Sequence, residues 1–167
     1  MLAFRTGNPD RPVNAIPPRA QAHLQVRFVA GCDWRAFIPS IRTHLDLLGF
    51  AKVQVRQADA EPMAATRLDP DHPWVHWAAA SIAATTGEPP AILPNLGGSL
   101  PNDCFADVLG LPTIWVPHSY PACSQHAGDE HLLARVAREG LGIMTGLFWD
   151  LGEPGSTPAR ERAAPQA

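Results

Sequence analysis

The chain has 167 residues, 46% of them apolar, and a formal net charge of −3. That is enough for one domain, or for two small units, with a packed core. The low, nearly balanced charge lacks the basic excess of a nucleic-acid surface, and no apolar run approaches the length of a membrane span.

The opening residues, Met1-Leu2-Ala3-Phe4-Arg5-Thr6, have no apolar core of signal-peptide length, so a cytoplasmic location is expected. They read as a strand, followed by a turn-rich loop from Gly7 to Pro12. Asn14-Ala15-Ile16-Pro17-Pro18 leads into a second strand. There Ala22, Leu24, Val26 and Phe28 alternate with His23, Gln25 and Arg27 over residues 20–29. The alternation puts Arg27 on the wet face, where a solvated charge is the plain reading. Asp33 is a candidate cap for a helix whose apolar positions are Trp34, Phe37, Ile38, Ile41, Leu45 and Leu48, ended by Gly49. Pro39 lies inside this pattern and predicts either a kink or a later start. Val53 and Val55 alternate with polar neighbours and predict a third strand.

Composition turns polar and turn-forming over residues 57–72, which marks a crossing between two structural units. Pro73 suits a first helical position. Trp74, Trp77, Ala78, Ile82 and Thr85 follow at core-facing spacing, and Gly87 ends the helix. Gly97-Gly98-Ser99 lets the backbone approach a ligand. With a predicted helix over residues 102–109, it forms a candidate cradle for an anion or carbonyl, although no Lys stands where a phosphate-binding loop needs one. Residues 111–116 are continuously apolar and predict a buried strand. Leu132, Leu133, Val136, Ala137, Leu141, Met144, Leu147 and Phe148 then recur at helical spacing, with Asp129 as a candidate cap. His126 therefore falls in a loop between a strand and a helix, the position where open α/β sheets place ligands. A histidine there can hold a metal or an anion, or simply bond a nearby carbonyl.

Cys32, Cys104 and Cys123 are odd in number and far apart, with no C-x-x-C pair, so neither a disulfide framework nor a zinc knuckle is implied. Cys123, near His126, is either redox-sensitive or a small buried hydrophobe. Residues 152–167 lack apolar periodicity and predict a disordered tail.

Three segments in order resemble one family. They are Asn14-Ala15-Ile16-Pro17 ahead of Val26-Arg27, then Gly97-Gly98-Ser99-Leu100-Pro101, then His126-Ala127-Gly128-Asp129-Glu130-His131. Together with Leu109-Gly110-Leu111-Pro112-Thr113 they resemble the aminoacylase, carnosinase and glutamate-carboxypeptidase family of co-catalytic zinc peptidases, over residues 1–151. The resemblance implies an α/β fold. Residues 1–58 would be part of an antiparallel lid and dimerisation domain with a helix, and residues 59–151 the closing strand–helix units of the catalytic domain. It assigns His126 to the last zinc ligand, Arg27 to a lid arginine that grips a substrate carboxylate, and Asn14, Gly98 and Ser99 to substrate contacts. It also implies two zinc ions per complete site. The remaining ligands (a His-x-Asp pair, a Glu-Glu pair and a further acid) and the general base would precede the lid, outside this chain, so no catalytic residue is expected here. The family has Pro and Asn where this chain has Gly128 and Asp129, which loosens the loop.

The implied function is a fragment of a zinc amidohydrolase or dipeptidase. It would act beside a free carboxylate on a small peptide or N-acyl amino acid, and would be inactive alone. A homodimer through the lid, or pairing with an N-terminal half, is the expected association. The alternative is a non-enzymatic dimerising or carboxylate-binding module.

Overall fold

A strand exists only where a second one completes its ladder. The computed structural model describes residues 1–59 and 62–158, and among these a ladder forms once. β1 (Ala3–Thr6) pairs antiparallel with β2 (Ala20–His23), Ala3 opposite His23 and Thr6 opposite Ala20. A further bond from the Leu2 N–H to the His23 carbonyl, 2.7 Å, extends the pair by one residue. The first expected strand is present. The second is cut short, because the four residues of β1 offer nothing for residues 24–29 to pair with. The strands expected around Val53–Val55 and over residues 111–116 are not formed, for the same reason: no neighbouring segment supplies a ladder. Every residue of β1 and β2 is exposed, and no helix packs on the sheet. The expected helix-covered lid sheet is thus reduced to an open hairpin. The fold is mixed α/β, with a small two-stranded antiparallel sheet and several helices.

Trp34–Ala36 forms a 3-10 turn that runs into α1 (Phe37–Leu47). Pro39 is tolerated because it occupies the first turn, where backbone N–H groups have no partner within the helix. The helix therefore starts later than an Asp33 cap would require, and the Asp33 side chain makes no capping bond. Gly49, at φ +82°, takes up the left-handed conformation just past the helix end. Arg42 reaches back from α1 and donates through Nε and Nη2 to the Val55 carbonyl at 3.2 and 2.7 Å. Phe28 meets Phe37 edge-on at 5.3 Å.

α2 (Pro73–Thr86) follows the sequence closely, with Pro73 at its start and Gly87 at φ +82° after its end. Its N-terminal cap is His72, whose Nδ1 accepts from the Trp74 N–H at 3.1 Å. Trp74 and Trp77 pack edge-on at 5.4 Å and are half-buried. The helix expected over residues 102–109 is a π-helical turn, Cys104–Val108, whose preceding residue Asp103 accepts from the Cys104 N–H. The segment after the compositional shift is tied to it. Ala64 N–H donates to Asp103 Oδ2 at 3.1 Å, and Asn102 Nδ2 donates to Thr66 Oγ1 at 2.6 Å.

α3 (Ala134–Gly152) begins five residues after Asp129, so Asp129 does not cap it. Of its expected apolar face, Leu141 and Phe148 are exposed, and it is Gly140 and Ile143 that are buried. α3 packs on α2, the one helix–helix packing among the described residues. The approach is close because α3 offers glycines. A Cβ at Gly146 would run into Thr85 Oγ1, and one at Gly140 would lie 2.7 Å from His118 Nδ1. Beyond Gly152, the start of the expected tail is tied to the helix end at Ser156, whose hydroxyl donates to the carbonyls of Asp150 and Glu153. The rest of that expected tail, residues 159–167, lies outside the described residues, as do Ala60 and Glu61 of the crossing.

Among the described residues the buried set is small: Ala78, Ser81, Cys123, Gly140 and Ile143. Large apolar side chains such as Ile16, Leu47, Leu141, Phe148 and Trp149 stand in solvent.

The α2–α3 contact generates two stability predictions. Gly146→Ala forces a methyl group against Thr85 and is expected to cost about 1–3 kcal/mol in urea unfolding, whereas Gly152→Ala, with open space around it, is expected to be neutral. Ser81 Oγ is buried with no hydrogen-bond partner, so Ser81→Ala is expected to raise stability by about 1 kcal/mol. A lower unfolding midpoint for Ser81→Ala would contradict that reading of the hydroxyl.

Candidate functional site

The longest-range side-chain bond recorded joins two of the sequence-predicted segments. Arg27 Nη1 donates to the Gly97 carbonyl at 2.6 Å, across 70 residues of chain. Arg27 is exposed, as are Gly97, Gly98 and Ser99. A guanidinium has five N–H donors in a rigid fork, so one bond to a carbonyl leaves donors for a carboxylate arriving beside the turn. Trp115 packs on the turn at Gly98. An added Cβ at Gly98 would sit 2.7 Å from the Trp115 ring, so the residue must be glycine for the turn to lie this close to the indole. Arg27 and Trp115 thus both contact the Gly-Gly-Ser turn. Ser99 has no side-chain hydrogen bond among the described residues, and its hydroxyl is open to solvent.

His126 lies in a loop that closes on itself. The His131 N–H donates to the Cys123 carbonyl at 3.0 Å and the Ala127 N–H to the Ser124 carbonyl at 2.9 Å. The His126 N–H donates to Glu130 Oε2 at 3.2 Å. Ser124, His126 and Asp129 adopt φ values of 57°, 64° and 60°, a left-handed conformation that costs non-glycine residues energy and persists only when surroundings enforce it. The enforcing contacts are those just named, together with the second histidine. His131 Nδ1 lies 2.8 Å from the Asp129 carbonyl. A carbonyl only accepts, so Nδ1 carries the proton, and in the neutral ring Nε2 accepts from the Tyr120 hydroxyl at 2.5 Å. The histidine bonded to a nearby carbonyl is therefore His131, while the His126 ring is exposed and free of side-chain hydrogen bonds among the described residues. Cys123 is buried beneath the loop as a small apolar residue.

No hydrogen bond among the described residues joins Asn14 or His126 to the Arg27–Gly97 pair. Asn14 is exposed in the loop between β1 and β2. Among the described residues no three His, Cys, Asp or Glu side chains converge in a way that would hold a metal ion. A catalytic zinc takes about three protein ligands, so the side chains here do not form a zinc site by themselves, and His126 offers one imidazole.

Sequence reasoning missed two features. The Tyr120–His131 bond had a faint signal, because Tyr120 is the only tyrosine in the chain and stands close ahead of the loop. The second is a cavity of about 420 Å³ under the Gly-Gly-Ser turn, walled by segments between Phe28 and Ile143. Its walls are spread over most of the chain and leave no local pattern.

No family of proteins, no curated protein and no solved structure matches this chain.

Replacing Arg27 tests the geometry directly. Arg27→Gln is expected to move the Gly97 carbonyl carbon resonance, which loses a charged hydrogen-bond donor, and to leave the carbonyl resonances of α2 in place. An unmoved Gly97 carbonyl resonance would overturn the bond.

Proposed function

We propose that this chain contributes part of the substrate grip and one metal-binding imidazole to a zinc-dependent amidohydrolase or peptidase, as a fragment of a two-domain enzyme acting next to a free carboxylate. The observation that carries the reading is the 2.6 Å bond from Arg27 to the Gly97 carbonyl. It joins the two segments that the resemblance assigns to one substrate, with spare guanidinium donors for that substrate's carboxylate and with Ser99 alongside. The exposed ring of His126, on a loop held in an unfavourable backbone conformation, is compatible with donating a single bond to a metal whose other ligands come from a second polypeptide. The donors of one imidazole do not hold a catalytic zinc, so the chain alone is expected to lack turnover. The 1–58 and 59–151 division, two zincs per complete site and a cytoplasmic location belong to this same proposal. Among the described residues no helix is long and apolar enough to cross a membrane.

A second reading is favoured by the open hairpin and the exposed apolar side chains. Among the described residues both outer edges of the β1–β2 pair are unpaired, and a two-stranded sheet is marginal alone, so a dimerising or carboxylate-binding module without catalysis is the alternative.

The two readings part in one experiment. Purified chain is expected to hydrolyse neither a dipeptide nor an N-acetyl amino acid, with or without zinc. Co-expressed with a separate polypeptide carrying the His-x-Asp and Glu-Glu ligands, it is expected to gain zinc-dependent hydrolysis, and His126→Ala is expected to cut that activity at least about a hundredfold. Turnover by the chain alone, or full activity of the His126→Ala complex, would overturn the fragment reading. A stable dimer that gains nothing from the second polypeptide supports the module.

A further inference from the structure

We infer that the cavity beneath the Gly-Gly-Ser turn is a binding site for an amphipathic monocarboxylate, with the ligand's apolar body inside and its carboxylate on Arg67. The site is separate from the carboxylate grip assigned to Arg27, and it stands whether or not the chain belongs to a hydrolase.

The cavity is about 420 Å³, within the range of small-molecule sites, which are mostly apolar with a few placed polar groups. Its floor is α2, through Val75, Ala79 and Ile82, and its walls include Phe28, Trp115 and Ile143. The polar side chains of the lining, among the described residues, are Thr66, Arg67, Asn95, Asn102 and Thr113. Asn102 Nδ2 donates to Thr66 Oγ1 at 2.6 Å, and the Thr113 hydroxyl donates to the Leu111 carbonyl at 3.1 Å. Arg67 is the one charged residue of the lining among the described residues. Asp103, next in sequence to Asn102, has its carboxylate occupied by the Ala64 and Cys104 N–H groups. Arg67 is exposed whereas Thr66 and Leu68 on either side are half-buried, so the cation is reachable from solvent beside an apolar interior. A ligand complementary to that arrangement is apolar at one end and singly negative at the other. At about 30 Å³ of liquid volume per water, the space equals roughly 14 waters, so a body of about a dozen non-hydrogen atoms fits.

One wall is the turn itself, through Leu96, Gly98 and Leu100. The contact that makes Gly98 obligatory, with Trp115, is thus also the contact that shapes the cavity.

Calorimetric titration of the full chain with phenylbutyrate, butyrate and phenylbutanol tests the inference. Phenylbutyrate is expected to bind tightest. Butyrate, which lacks the ring, should bind roughly tenfold to a hundredfold more weakly, and phenylbutanol, which lacks the charge, about tenfold more weakly. Arg67→Gln should lower phenylbutyrate to the level of phenylbutanol and leave phenylbutanol unchanged. Ala79→Phe, which fills the floor, should weaken both ring-bearing probes at least about tenfold. Where Ala79→Phe loses helical circular dichroism, the indole N–H resonance that vanishes in Trp115→Phe gives the location instead, and it is expected to shift with phenylbutyrate and not with butyrate. Equal affinity for phenylbutyrate and butyrate, an Arg67→Gln chain that binds phenylbutyrate as the parent does, or an unmoved Trp115 resonance would each overturn the inference.

Discussion

The structure depends on the close approach of α2 and α3. Elsewhere the chain is joined by single hydrogen bonds or by a four-residue ladder, and only here do two long elements bury side chains against each other. Ala78 and Ile143, two of the few buried apolar residues, belong to these helices. The approach is possible because Gly146 leaves room for Thr85, while Gly140 leaves room for His118 from outside the pair. Tight packing between small residues gains dispersion contacts that larger ones would hold apart. The cavity inherits its floor from α2 and one wall from Ile143, so its shape is set by the same contact.

Around that pair the remaining chain is laid out by a few polar bonds. Asp103 and Asn102 fasten the segment that leads into α2. Arg27 reaches the Gly-Gly-Ser turn from a segment with no ladder of its own. Hydrogen bonds of these kinds contribute about 1–3 kcal/mol each, so a few of them orient segments without building a core. A site assembled this way is positioned by side-chain reach and remains adjustable. That suits a surface whose final geometry is set when a ligand or partner arrives.

Several large apolar side chains stand in solvent, among them Leu141, Phe148 and Trp149 along one length of α3. Exposed apolar surface is what association would remove from water, and both proposed roles, a fragment that completes an enzyme and a module that pairs, draw on it.

Local chemistry was legible in the residues. Pro73 and Gly87 bracket α2, Gly49 ends α1, and β2 starts where alternation begins, because caps, breakers and short-range spacing act within a few residues. The meeting of Arg27 with the glycine turn was not legible, since nothing in the residues between them states it. What tertiary structure alone decided were the ladders and the burial. Residues 24–29 and 111–116 have strand-like patterns but no partner, and a strand is a property of two segments. Asp129 has the chemistry of a helix cap, yet the loop around His126 uses its carbonyl to hold His131, and the helix begins later. Burial followed the same rule: the α3 pattern marks an apolar face correctly, but which part of a wide face is covered depends on the helix packed against it, and here that was settled by where glycines let α2 come close.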